Sequence, residues 1–158
     1  YYWNQLWRNF CISDVYEPGS TFKLITTSLA LEYGVTSMND TFYCKPMEVA
    51  DYTLKCWYYP LSHGQETLYE AVENSCNPAM ITLSQRIGLD RYYAGLENFG
   101  LTEKTGVDFP GESSNILQGK NIVGLATMSY GQGIAVTPVS LVSAVGSIAN
   151  KGYLKIRK

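Results

Sequence analysis

The stretch YEPGSTFK, residues 16–23, leads into an apolar run that predicts a helix from Ser20 to about Tyr33. The apolar residues go nearly all round this helix, which is typical of an element buried at the centre of a domain. Ser20 and Lys23 are one turn apart, so their side chains share a face. A serine hydroxyl needs an adjacent base to act as a nucleophile, and a partly buried lysine amine can accept its proton. The stretch therefore predicts a buried helix with a candidate nucleophile, Ser20, and a candidate base, Lys23.

The composition of the 158-residue chain fits about one domain and excludes several classes of function. Charged residues make up 16% of the chain and the net charge is -2, so we expect no nucleic-acid partner and no anionic-membrane face. No apolar run is long enough to span a membrane. His63 is the only histidine, so a Ser-His-Asp or Cys-His catalytic site would have to use it.

The rest of the chain is predicted to be mostly helical, with little strand. Turn formers over residues 36–64 indicate a loop with one short hairpin. Asn77-Pro78 and Thr137-Pro138 each combine a capping residue with a proline at the first helical position. The predicted helices are 67–73, 77–88, 90–100 and 137–150, and residues 101–120 are predicted as loop.

A second group of motifs follows in a fixed order. NSCNP at residues 74–78 places Ser75 fifty-five residues after Ser20. HG at 63–64, TGVDFPGE at 105–112 and SYGQG at 129–133 complete the series. Together with the Ser-x-x-Lys element, these segments resemble the transpeptidase domain of the penicillin-binding proteins. The cysteine in NSCNP makes the chain most similar to class B enzymes of the sporulation and division type from Gram-positive bacteria.

The resemblance implies a fold that is mainly α: the helical part of the α+β penicillin-binding and serine β-lactamase-like fold. We expect residues 1–158 to be a partial transpeptidase domain without most sheet strands and without the strand that carries the family's Lys-Thr-Gly motif. Lys104-Thr105-Gly106 spells that motif but lies inside the segment that resembles the family's TGVDFPGE loop. We therefore expect no catalytic role for Lys104, and we expect the isolated chain to lack full activity.

The resemblance also implies an activity, a peptidoglycan D,D-transpeptidase that forms an acyl-serine intermediate. Ser20 would attack the stem peptide or a β-lactam, with Lys23 as its base. Ser75 would relay a proton toward the leaving amine, and Ser75 and Asn77 would bind substrate. Neither a cofactor nor a metal is implied. The implied partners are peptidoglycan stem peptides, β-lactam antibiotics and cell-wall synthesis proteins, at the extracytoplasmic face of a membrane that holds an N-terminal anchor. Exposed apolar helix surface in the fragment would favour a homo-dimer.

Two other functions stay open. A class D β-lactamase or a β-lactam-sensing receptor domain would suit residues 20–23 equally well, although the second motif of that group usually ends in valine where this chain has Asn77. A non-catalytic scaffold module is the other alternative. The rate at which an acyl-serine ester is hydrolysed would separate a transpeptidase from a β-lactamase.

The four cysteines do not follow zinc-site spacing, because the chain has no Cys-x-x-Cys pair. Outside the cytoplasm a disulfide can persist, and we predict Cys56–Cys76 as the pair. This bond would close a loop of about 20 residues, contribute about 3 kcal/mol, and could lock the Ser75 loop as a redox switch. Cys44–Cys56 is the rival pair, and a reduced, buried Cys76 is the third alternative. His63 is interpreted as a structural loop residue.

Overall fold

The computed structural model describes residues 8–154, in which helices form most of the ordered structure. A 3-10 turn at Gly19–Phe22 precedes the second helix. The helices are α1 Phe10–Ser13, α2 Lys23–Glu32, α3 Leu68–Glu73, α4 Asn77–Ile87, α5 Leu89–Asn98, α6 Ile122–Met128 and α7 Pro138–Ala149. Among residues 8–154, no helix combines the length and the apolar character needed to cross a membrane.

The strands are short and pair two by two. They are β1 Thr41–Cys44, β2 Met47–Val49, β3 Tyr52–Leu54, β4 Gly64–Thr67, β5 Ile116–Leu117 and β6 Ile134–Ala135. All three pairs, β1–β4, β2–β3 and β5–β6, are antiparallel. The prediction of a mainly α fold is therefore confirmed. The prediction of one hairpin over residues 36–64 missed the β1–β4 pair, whose register sets Cys44 opposite Gly64.

Helix α2 lies where the sequence predicted it, since the helical backbone runs from the 3-10 turn to Glu32. Its core face is formed by Phe22, Ile25 and Leu29, which are all buried. The prediction of burial on every side is wrong, because Leu24 and Leu31 are 42% and 41% exposed. Helix α2 is thus buried along one broad face and open to solvent along the other.

The core lies between α2, α4, α6 and α7, with α2 packed against α4 and α7, and α4 against α6. Met80 and Leu83 of α4 are fully buried there, and burial of each such side chain contributes about 1.5–3 kcal/mol. A buried polar contact crosses the same core: Thr26 Oγ1 donates to Ser129 O at 2.8 Å and also lies 2.8 Å from the Tyr92 hydroxyl. This contact fixes the segment after α6 against the middle of α2.

Helix starts were predicted well where the cap is local. Thr137 accepts a hydrogen bond from the Ser140 N–H and begins α7 as expected. At α4 the prediction was wrong by one residue, because Cys76 is the N-cap and Asn77 is already helical. Helix α5 begins after Gly88 rather than at Asp90, and α6 was not predicted at all.

Two glycines bring the segment after α6 against the start of α2. The Gly19 N–H donates to Gly131 O at 3.0 Å. A Cβ on Gly131 would overlap the Gly19 carbonyl oxygen and lie 2.6 Å from its carbon. Gly131 also has a φ of 82°, a conformation that a side chain disfavours. Only glycine satisfies both conditions, and the contact fixes the backbone directly before Ser20.

We predict that Gly131→Ala lowers the free energy of unfolding by about 1–3 kcal/mol, because the new methyl group meets backbone that cannot rotate away. Gly146→Ala is the matched control: Gly146 lies in α7 and a Cβ there meets nothing within 4 Å. The control should be unchanged or up to about 1 kcal/mol more stable, since alanine favours a helix interior. Urea unfolding followed by circular dichroism measures both. Equal stabilities for the two variants would contradict the proposed close approach.

Candidate active site

Ser20 and Lys23 lie at the start of the helical segment, on the face turned toward the α3–α4 connection. Ser20 is exposed to solvent, whereas Lys23 is only 3% exposed. The Lys23 Nζ to Ser20 Oγ distance is 3.4 Å, at the long end for a hydrogen bond. An accessible hydroxyl is thus placed above a buried amine.

The connection between α3 and α4 supplies the other contacts of Lys23. The Lys23 ammonium donates to Ser75 O at 2.6 Å, to Ser75 Oγ at 2.7 Å and to Asn77 Oδ1 at 2.7 Å. The side-chain oxygen of Asn77 accepts a hydrogen bond from Lys23, and for this reason it does not cap α4. The four predicted site residues are therefore brought together at one amine.

Ser75 has an unusual backbone conformation, with a φ of 54°. A non-glycine residue in this region costs free energy and persists where surrounding contacts hold it. The Ser75 N–H donates to Val72 O and the Cys76 N–H to Ala71 O, at the end of α3. These bonds turn the Ser75 side chain toward α2, where its hydroxyl donates to Ser20 Oγ at 2.8 Å.

Burial of Lys23 lowers its pKa from the ordinary lysine value to about 8, because a charged amine loses its hydration there. Negative charge on Cys56 and Cys76 acts in the opposite direction and raises this pKa. With a pKa of about 8, a substantial fraction of the amine is neutral at mildly alkaline pH. A neutral amine can accept a proton, whereas an ordinary surface lysine is mostly protonated at that pH and cannot.

In the described part of the chain, the Lys104-Thr105-Gly106 segment makes its hydrogen bonds to Glu112 and not to the candidate site. The Thr105 hydroxyl and N–H both donate to Glu112 Oε1, at 2.6 and 2.7 Å, and the Gly106 N–H donates to Glu112 Oε2. Glu112 thus organises the 105–112 loop internally. This arrangement agrees with the expectation that Lys104 belongs to a structural loop.

A residue that the sequence did not single out holds the other edge of the site. Glu17 Oε1 accepts a hydrogen bond from the Gly133 N–H at 2.8 Å. The backbones of Tyr16 and Val136 also pair, with both hydrogen bonds at 3.0 Å. Together with the Gly19–Gly131 contact, these bonds join the segment before Ser20 to the segment after α6.

The cysteines cluster beside the site. The Sγ atoms of Cys44, Cys56 and Cys76 and a ring nitrogen of His63 all lie within 4.8 Å of one another. All the cysteines of the described chain are free thiols, so the predicted Cys56–Cys76 bond is absent here: the sulfur atoms converge as a cluster instead of pairing. The pair stays a prediction for oxidised protein. Burial raises the pKa values of Cys44 and Cys76, which favours the neutral thiols.

This cluster could hold a metal ion, and zinc-type spacing in the sequence could not have found it. The candidate ligands come from β1, the loop after β3, the residue directly before β4 and the N-cap of α4. His63 belongs to this cluster and stacks on Tyr58, with ring centroids 4.8 Å apart, and within residues 8–154 it makes no hydrogen bond to Ser20. The prediction of a structural role for His63 agrees with that position.

Comparison with known proteins identifies the family. The family described as "Penicillin binding protein transpeptidase domain" matches residues 2–156. Stage V sporulation protein D of Bacillus subtilis is 42% identical over 93% of this chain and 23% of its own length. Penicillin-binding protein PbpB of Mycobacterium tuberculosis is 30% identical over 91% of this chain and 22% of its own length.

Solved structures share the fold. A peptidoglycan glycosyltransferase from Burkholderia ambifaria superposes with a TM-score of 0.87 and 26% identity, over 96% of this chain and 50% of that one. A putative peptidoglycan glycosyltransferase from Atopobium parvulum gives 0.84 and 32%, over 90% of this chain and 35% of that one. The chain spans about a quarter of the length of these curated relatives. On the match over residues 2–156, the chain belongs to the penicillin-binding protein transpeptidase family.

Proposed function

We propose that Ser20 is the nucleophile of a peptidoglycan D,D-transpeptidase and forms an acyl-serine intermediate with a stem peptide or a β-lactam. The observation that carries the proposal is the position of the Ser75 hydroxyl, 2.8 Å from Ser20 Oγ and 2.7 Å from Lys23 Nζ. Nucleophile, relay and buried amine thus form a continuous hydrogen-bonded chain. A weak nucleophile with an adjacent base is the arrangement that acyl transfer to serine requires.

In the first step, neutral Lys23 takes the Ser20 proton while Ser20 Oγ bonds to the carbonyl carbon of the substrate. The short contacts through the Ser75 hydroxyl offer a better proton path than the direct distance of 3.4 Å. The tetrahedral intermediate then collapses, its C–N bond breaks, and the leaving amine takes a proton from Ser75. The Lys23 ammonium returns a proton to Ser75.

In the second step, an amine of a neighbouring stem peptide attacks the ester and releases Ser20. Asn77 is placed to bind a backbone amide of the substrate while its side-chain oxygen holds Lys23 at 2.7 Å. The proton that the attacking amine loses returns to Ser20 by the same path. Bonds and charges therefore balance over the cycle.

The names of related proteins support a peptidoglycan substrate for this chain. A relative from Escherichia coli that is 28% identical over 94% of this chain is named peptidoglycan D,D-transpeptidase FtsI. We propose that the stem peptide is the substrate, that β-lactams acylate the same serine, and that the protein acts on the outer face of a membrane with cell-wall synthesis partners. One relative is named as a sporulation protein and another as FtsI, so the names of relatives support a role in sporulation or in division equally. Dimerisation of the isolated chain stays a prediction.

Two other activities make different demands on the site. A β-lactamase would use the same Ser20–Lys23 pair but would hydrolyse its ester quickly. The two similar solved structures are described as peptidoglycan glycosyltransferases. Chemistry at a glycosidic bond commonly uses paired carboxylates, and within residues 8–154 no carboxylate hydrogen-bonds to Ser20, Lys23 or Ser75. The geometry of this site therefore favours acyl transfer.

We predict that fluorescent penicillin labels the complete gene product and that Ser20→Ala abolishes the labelling. Ser28→Ala is the matched control, because Ser28 is a partly buried serine on the same helix, farther from the amine. The readout is in-gel fluorescence with peptide mapping of the acylated residue. The label should persist for a transpeptidase and disappear rapidly for a β-lactamase. Unchanged labelling of Ser20→Ala would place the nucleophile elsewhere.

We predict that the second-order rate of acylation rises with pH through a midpoint of about 8 and levels off above about pH 9. The base acts in its neutral form, and the neutral fraction of an amine with a pKa of about 8 is roughly tenfold higher at pH 9 than at pH 7. Stopped-flow acylation by a chromogenic β-lactam between pH 6 and 10 measures the profile. A flat profile would rule out Lys23 as the base.

A further inference from the structure

The thiol cluster has the dimensions of a tetrahedral metal site. Its four candidate ligand atoms lie within 4.8 Å of one another, and the Cys56 Sγ to His63 Nδ1 distance is 3.9 Å. In a tetrahedral zinc site with Zn–S bonds of about 2.3 Å, neighbouring sulfur atoms are about 3.8 Å apart. Closing the cluster around an ion would therefore need shifts of less than about 1 Å.

A buried carboxylate gives a second, independent indication of a cation. Glu66 is only 2% exposed. Its Oε1 accepts a hydrogen bond from Asn74 Nδ2 at 2.7 Å, whereas its Oε2 has no hydrogen-bond partner among residues 8–154. That unpartnered oxygen lies 3.8 Å from His63 Nδ1. A buried carboxylate oxygen without a donor is costly, and a histidine that binds a metal ion through one ring nitrogen commonly donates its other ring N–H to such a carboxylate.

The surrounding fold already holds the ligand segments together. Asn77 Nδ2 donates to Lys55 O at 3.3 Å, next to Cys56, and Trp57 Nε1 donates to Asn74 O at 3.0 Å. The β1–β4 ladder sets Cys44 opposite Gly64, next to His63. The ligand positions are thus brought together by contacts that do not need the ligands themselves. Such preorganisation is what a specific site requires.

We propose that Cys44, Cys56, His63 and Cys76 bind one Zn²⁺ ion in a closed, structural site beside the Ser75 loop. A ligand set of three thiolates and one imidazole favours zinc over Mg²⁺ and Ca²⁺, which prefer oxygen ligands. Four protein ligands leave no open position for a reacting water, so the ion is structural rather than catalytic. This proposal is independent of the acyl-transfer activity.

Binding involves proton release and no change of oxidation state. Each cysteine that coordinates the ion gives up its thiol proton to solvent, and neutral His63 binds through a ring nitrogen. Two positive charges then face three thiolates. A disulfide between Cys56 and Cys76 would remove two of the four ligands, so zinc loading and the oxidised pair exclude each other.

The test uses the full chain, purified under reducing conditions and titrated with Zn²⁺ against a chromophoric chelator. We expect one zinc per chain, and at least about a tenfold loss of affinity in Cys44→Ser. Cys11→Ser is the matched control, because Cys11 lies outside the cluster, and it should bind zinc like the unmodified chain. Substitution by Co²⁺ should give thiolate-to-cobalt charge-transfer absorption, weaker in Cys44→Ser.

Several outcomes would overturn the proposal. One is a reduced chain that binds no zinc, and another is Cys44→Ser with the same affinity as Cys11→Ser. A metal-free Cys56–Cys76 disulfide in freshly isolated protein, found by non-reducing peptide mapping, would also overturn it. If circular dichroism shows that Cys44→Ser is unfolded, the zinc stoichiometry and the Co²⁺ spectrum of the unmodified chain decide the question. A Co²⁺ spectrum without thiolate-to-cobalt absorption would then contradict the proposal.

Discussion

The burial of the Lys23 ammonium is the constraint on which the rest of the site depends. An ammonium removed from water needs acceptors at short distance, and a single helix cannot supply them to its own side chain. Ser75 and Asn77 supply them from the α3–α4 connection, at 2.6–2.7 Å. The positive φ of Ser75 is part of the same arrangement, since it turns carbonyl and hydroxyl toward one amine. The ammonium form of Lys23 stabilises the loop, and its neutral form is the base that we propose for Ser20.

The parts of this structure that follow from local sequence were predictable. Thr137 and Gly88 mark helix ends through contacts within a few residues, and α2 and α7 were predicted close to their observed bounds. Asn77 was assigned to the wrong position because its partner, Lys23, is distant in sequence and outcompetes the local cap. Helix α6 was missed because its seven residues, Ile122–Met128, make only about two turns, which is too short for a helical period to be recognised in an apolar run.

The sequence indicated which residues form the candidate site, but not the backbone contacts that hold them in place. Ser20, Lys23, Ser75 and Asn77 were identified from spacing and from resemblance, and the structure brings them together. The segment after α6 was marked only by the resemblance of SYGQG to the family's motif, which does not say what the segment contacts. Its role is steric: Gly131 lets its backbone approach Gly19, and the Ser129 carbonyl accepts from Thr26 in the middle of α2. Such contacts depend on which backbones meet, which one sequence does not reveal.

The cysteines were judged by their distances along the chain, and this is why their convergence was missed. The β1–β4 ladder folds residues 41–44 onto residues 64–67, so that Cys44 arrives beside His63 although nineteen positions separate them. Cys76 then enters the same cluster as the N-cap of α4, between the two residues that hold Lys23. Zinc binding or oxidation that involves Cys76 therefore acts within one residue of Ser75 and Asn77. Negative charge on Cys56 and Cys76 also opposes the effect of burial on the pKa of Lys23. The excursion between β1 and β4 is thus joined to the Lys23 amine through Asn77, whose side chain accepts a hydrogen bond from Lys23 and donates one to the Lys55 carbonyl.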